Sequence, residues 1–160
     1  MNIPDGITLE VKGSELVVKG KKGEVKRSFP VLGLKMSVEG TNFKVESHDL
    51  SMVRTVEAHL ANMAKGVTEG FSQEMQVIYS HFPVNVEVKG KQVLIKNFIG
   101  EKQHRFASII GSTKVEVSGQ KVVVSGINLE DVGQTIANIG KATKIRNRDS
   151  RVFQDGIYTV

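Results

Sequence analysis

The residues best suited to metal ligation or proton transfer are four histidines, His48, His59, His81 and His104, and no two stand at a ligand spacing such as i, i+4. The paired carboxylates are Glu130 and Asp131, where the first turn of a helix is expected. There the positive end of the helix dipole favours acids without any catalytic role. The chain has no cysteine, which removes thiolate nucleophiles, disulfides and cysteine zinc sites. Gly140-Lys141-Ala142-Thr143 resembles the end of a phosphate loop, but such a loop needs Ser or Thr directly after the lysine and must open a helix. This one falls late in a helix. Gly20-Lys21-Lys22-Gly23 has the Gly-x-x-Gly spacing of a backbone clamp for RNA, yet it lies between strand-like runs and reads as a hairpin tip. The sequence therefore points to no catalytic residue, no cofactor and no metal.

The remaining chemistry is cationic. Lys141, Lys144, Arg146, Arg148 and Arg151 are opposed only by Asp149, a local net charge of +4 in eleven residues. The two lysines suit a helix C-terminus, where cations meet unpaired carbonyls. The three arginines follow in a predicted loop, where forked guanidinium groups match phosphate oxygens in pairs. A second basic group, Lys102, His104 and Arg105, follows Asn97-Phe98-Ile99-Gly100, the expected equivalent of the Gly20–Gly23 hairpin tip. Residues 1–79 hold ten Lys and Arg against ten Asp and Glu, whereas 80–160 hold twelve against seven, so the whole net charge of +5 sits in the second half. Such asymmetry points to an anionic partner, nucleic acid first. Phe153 could stack on a base, but it reads as a core residue, because it leads into the Asp155-Gly156 turn and a closing strand.

These groups are positioned by a repeated unit. Shifting the chain by 77 lays residues 7–29 on 84–106 with eight of 23 positions identical, among them Glu10/Glu87, Lys19/Lys96 and Phe29/Phe106. A shift of 79 then aligns 35–47 with 114–126. Each copy begins with period-two alternation around tight turns, as in Ile7-Leu9-Val11, Gly13-Ser14 and Leu16-Val18, which predicts antiparallel hairpins with one buried face. Gly40 marks a further turn. Apolar residues then recur every three to four positions, at Val53, Val56, Leu60 and Met63, and again at Val132, Ile136 and Ile139, predicting one amphipathic helix per copy. Asp49 and Asn128 suit the N-caps, and Gly66 the end of the first helix. The expected fold is α+β, a tandem duplication of a small antiparallel sheet domain, each with one packed helix. The copies span 1–79 and 80–160, with the alternation at Met75, Val77 and Tyr79 closing the first. No apolar run reaches the roughly 20 residues of a membrane span, and no basic-then-apolar leader is visible, so a cytoplasmic protein is expected.

Three motifs set in these tandem units, NFIGEK (97–102), YSHFP (79–83) and RDSRVFQDGIY (148–158), resemble the large-subunit ribosomal protein six family in its archaeal and eukaryotic form. The resemblance covers essentially the whole chain. It implies a structural constituent of the large ribosomal subunit, present as a monomer within the ribosome. The C-terminal domain would hold large-subunit rRNA near the factor-binding region and stalk base, beside neighbouring ribosomal proteins. The rRNA contacts then fall on the loop of Gly100, Lys102, Gln103, His104 and Arg105 and on the run of Lys141, Lys144, Arg146, Arg148 and Arg151. Many relatives continue into a charged tail, whereas this sequence stops at Val160. From the residues alone, a duplicated β-rich adaptor for acidic proteins or polysaccharide is the alternative.

Overall fold

A computed structural model describes residues 6–29, 33–39, 42–149 and 151–160. The chain forms two compact units, 1–70 with 127–129, and 71–126 with 130–160.

In the first unit β1 (Thr8–Lys12), β2 (Glu15–Gly20) and β3 (Gly23–Ser28) form an antiparallel sheet with β2 in the middle. A hairpin of β4 (Lys35–Glu39) and β5 (Asn42–Glu46) follows, then helix α1 (Leu50–Thr68). The turn expected at Gly40 lies outside the described residues. Asp49 caps α1 as expected, its carboxylate accepting the Ser51 N–H at 2.9 Å. That bond is the largest cause holding the Asp49 carboxyl below the usual range. Helix α1 runs past the expected stop: Gly66 is buried inside it, and Gly70, at φ +77°, ends it by donating its N–H to the Lys65 carbonyl at 3.2 Å. The apolar stripe needs the extra turn, because Val67 is fully buried in the same core as Leu16, Val18, Phe43, Val56 and Leu60.

The second unit contains the sheet of β7 (Asn85–Lys89), β8 (Gln92–Lys96) and β9 (Arg105–Ser108), and a four-stranded antiparallel sheet. The latter is ordered β10 (Lys114–Ser118), β11 (Lys121–Gly126), β6 (Phe71–Ile78), β12 (Gly156–Thr159). Helix α2 (Leu129–Ala142) carries Glu130 and Asp131 in its first turn, as expected. Strand β6, read from the sequence as closing the first copy, instead pairs with β11 and β12 at the centre of this sheet. Its alternation explains why: Met75 and Val77 are buried in one core with Val122, Val124, Ile139 and Ile157. Tyr79 falls beyond the strand's end.

The architecture is mixed α+β, with a duplicated antiparallel ladder visible pair by pair. Leu16, Val17 and Val18 on β2 and Val93, Leu94 and Ile95 on β8 are all buried. Lys19 meets Glu10 at 2.6 Å and Lys96 meets Glu87 at 2.7 Å, the same diagonal pair in each copy. Among the described residues, no helix is long and apolar enough to cross a membrane.

Candidate nucleic-acid interface

The duplicated ladder diverges after its second strand. In the first unit Leu16 faces Arg27, eleven residues on; in the second its counterpart Val93 faces Ala107, fourteen residues on. The second connection is three residues longer. An ungapped alignment across 84–106 is therefore wrong in register beyond β8: Phe29 is buried, whereas Phe106, matched to it by sequence, is exposed. The Asn97–Gly100 stretch is correspondingly not a copy of the Gly20–Gly23 tip. Phe98–Gly100 forms a single 3-10 turn with Asn97 at φ +57° and Ile99 at φ +52°. A β-branched residue in the left-handed region is strained by roughly 1–3 kcal/mol and persists only where its surroundings fix it. Burial of the Phe98 and Ile99 side chains in the second core supplies that restraint. The turn commits the following residues to the surface, where Lys102, Gln103 and His104 are exposed.

Arg105 behaves differently from its neighbours. Its Nε and Nη2 donate to the two carboxylate oxygens of Glu101 at 2.8 and 2.6 Å, and its Nη1 donates to the Ala142 and Lys144 carbonyls at 2.9 and 3.1 Å. Its guanidinium carbon stands 4.5 Å from the centre of the Phe98 ring. One side chain thus forms a bidentate ion pair, covers the negative end of α2 and stacks on an aromatic face. With a side chain only 24% exposed, Arg105 joins the loop after β8 to the end of α2, a role that spacing alone did not reveal. Hydrogen bonding from Arg105, the largest cause, holds the Glu101 carboxyl below the usual range, and the charge of nearby Arg148 acts in the same direction.

Past Ala142 the chain is held at three points. Thr143, buried, donates its hydroxyl to the Ile139 and Gly140 carbonyls and accepts the Ile157 N–H at 3.3 Å. Ile145 packs on the core, and Asp155, also buried, accepts the Ser80 N–H at 3.2 Å. Lys141, in the last turn of α2, and Lys144, Arg146 and Arg148, between these anchors, are exposed and, among the described residues, have no carboxylate at ion-pair distance. Arg148 lies 4.8 Å over the half-buried Phe153 ring, whose centre is 6.3 Å from that of His81. Phe153 therefore belongs to the surface cluster rather than to the core. Arg151, its side chain 89% exposed, is paired with Asp149 at 3.1 Å. An exposed pair of this kind is weakly held and yields readily to a stronger anion.

Two cationic segments, 102–104 and 141–148, thus flank one core and are linked to each other by the Arg105 guanidinium. The model of the family described as Ribosomal protein L6 matches residues 3–70 and 82–156. The chain belongs to the ribosomal protein L6 family. Among its relatives is the large ribosomal subunit protein uL6 of Methanosarcina mazei, 47% identical, covering all of this chain and 94% of the relative. The uL6 proteins of Methanocella arvoryzae and Methanococcus vannielii are 46% and 45% identical, over 99% and 100% of this chain and 93% and 91% of their own lengths. Membership of the L6 family places the chain among structural ribosomal constituents rather than enzymes.

Proposed function

We propose that this protein is a cytoplasmic constituent of the large ribosomal subunit whose second unit grips large-subunit rRNA near the factor-binding region and stalk base, beside neighbouring ribosomal proteins. One observation carries the reading: among the described residues, Lys141, Lys144, Arg146 and Arg148 stand exposed without carboxylate partners, on a segment anchored by Thr143, Ile145 and Asp155. Lys and Arg of this kind neutralise phosphates and release counterions, while the anchored backbone fixes where the charges point. Lys102, Gln103 and His104 add a second point of contact, with the Gly100 backbone exposed at its edge. Folded RNA shape is the feature recognised, because the deep groove of an RNA helix offers side chains little to read.

Arg105 enters this reading as a brace rather than as a phosphate contact, since four of its five N–H donors are already occupied. Arg151 joins the contact set once phosphate displaces Asp149. The first unit, with no net charge in its copy, serves as a platform for neighbouring proteins.

The test is co-sedimentation with large ribosomal subunits through a low-salt gradient, comparing the natural protein with the combined Arg146→Glu, Arg148→Glu and Arg151→Glu variant. Loss of association by a variant that still melts cooperatively supports the reading. Unchanged association at moderate salt contradicts it.

A further inference from the structure

Residues 79–84 join β6 to β7; Ser80 and His81 touch the interface described above, whereas Phe82 has had no part in it. Two hydrogen bonds tie this segment to the rest of the second unit. The Ser80 N–H is held by buried Asp155, and Asn97 Nδ2 donates to the Pro83 carbonyl at 3.1 Å. Between these ties the Phe82 ring lies against Gly100, so close that a Cβ there would meet ring carbons at 3.0–3.3 Å. Gly100 also sits at φ +72°, so both its conformation and its missing side chain admit the ring. Phe82 nonetheless remains 42% exposed. Burial of apolar area does not explain a ring positioned this carefully and then left open to solvent.

Its surroundings indicate an occupant. On one side the Gly100 turn runs into Lys102 and His104. On the other, His81 packs beside Phe153, over which Arg148 lies. The nearby carboxylate of Glu101, which would repel phosphate, is neutralised by its ion pair with Arg105. An exposed aromatic face beside two cationic segments suits an unpaired base, because stacking is indifferent to base identity and the flanking cations can track the backbone. Phe106 is also exposed, but it projects from β9 at the ladder position opposite Leu94 and lies outside this cluster.

We propose that Phe82, with His81 beside it, is a stacking platform for one unpaired nucleobase of the RNA held by the flanking lysines and arginines. The proposal rests on the rRNA-binding reading above and adds to it a contact that is neither cationic nor salt-dependent.

The experiment uses the full chain and two probes, an archaeal large-subunit rRNA transcript and a fully paired RNA duplex, with affinity measured at several salt concentrations. Phe82→Leu keeps apolar bulk against Gly100 and removes the aromatic face. It should weaken rRNA binding about tenfold, within the range for loss of one base stack. The slope of log K against log salt and the affinity for duplex should both be unchanged, and Phe82→Tyr should restore rRNA binding. Ultraviolet crosslinking of the natural protein should place base adducts on His81 or Phe82, a readout independent of any variant's folding.

Natural affinity in Phe82→Leu, or adducts only on other aromatics such as Phe106 and Tyr158, overturns the platform. If Arg146→Glu with Arg148→Glu weakens binding in the same series, the RNA reading survives that result. If the natural protein shows no salt-dependent affinity for the rRNA transcript, the RNA reading fails and the platform with it.

Discussion

Each unit of this molecule covers the carbonyl end of its helix with one basic side chain, Lys22 in the connection after β2 and Arg105 at the start of β9, and the two solutions differ. In the first unit the hairpin tip is pressed onto α1. The Lys22 N–H donates to the Val67 carbonyl at 3.0 Å, its ammonium group donates to the Glu69 carbonyl, and a Cβ at Gly20 would stand 2.6 Å from Val67. No room is left for a loop. In the second unit the connection is three residues longer, and Arg105 spans the wider gap while Lys102, Gln103 and His104 project. The same ladder, with the same Glu–Lys diagonal, thus carries a closed tip in one copy and an open cationic loop in the other. A duplicated scaffold can gain a binding surface by lengthening one connection, provided a new brace replaces the contact that the short tip made directly.

The largest expected effect separates the two units by charge. Reversing Arg146, Arg148 and Arg151 together should lower the slope of log K against log salt for rRNA by about two to three, roughly one per lost phosphate contact. Lys21→Glu in the first unit should leave both slope and affinity unchanged. Titrations at three or more salt concentrations check both.

The next prediction concerns the closed tip. Gly20→Ala forces a methyl group into Val67 and should destabilise the protein by about 1–3 kcal/mol, the usual cost of overpacking. Asn97→Ala, on the open side, loses one exposed hydrogen bond and tolerance of φ +57°, and should cost about 1 kcal/mol. Chemical denaturation of the two variants ranks them; the reverse order would mean that the first tip is not packed as described.

Arg105→Gln sharpens the comparison further. As a brace, its loss should weaken rRNA binding several-fold and leave the salt slope unchanged, because no phosphate contact is removed. A slope reduced by about one would instead make it a direct contact. The brace also carries a pH signature. The carboxyl of Glu101 is depressed in the fold, so its contribution is present above the unfolded value of about 4.3 and is lost as pH falls through the folded one. Natural protein should therefore lose some stability below about pH 4 that Glu101→Gln has already lost.

The smallest expected effect is on His59 in α1, which is half-buried against Phe29. Burial, then the charge of Arg27, pushes its imidazole below the ordinary value. The unfolded chain takes up the proton first, so stability falls as pH drops below about 6.5. Melting between pH 7.5 and 5.5 should show a decline smaller in His59→Gln than in the natural chain.

Much of this was legible in the sequence. Period-two alternation and the change to helical spacing located the strands and both helices, because burial on one face leaves that imprint directly. The basic run at 141–151 was legible as charge. Strand β6 was misplaced because alternation reports which residues are buried, not which neighbour buries them, and Met75 and Val77 fit either sheet. The three-residue slip after β8 was hidden by chance identities such as Phe29 and Phe106, which only pairing can separate. Arg105 looked like another phosphate ligand because its partners, the carbonyls of Ala142 and Lys144, lie nearly forty residues away and carry no signature of residue type. Phe82 was readable as a motif residue, but its exposure depends on Gly100 and Asp155, which are close only in the fold.

The most direct test of the central claim is a lysine-to-RNA crosslinking map on large ribosomal subunits. Adducts should fall on Lys102, Lys141 and Lys144 in the second unit and be absent from Lys21 and Lys26 in the first. Adducts concentrated on the first unit, with those three lysines unmodified, would contradict the account.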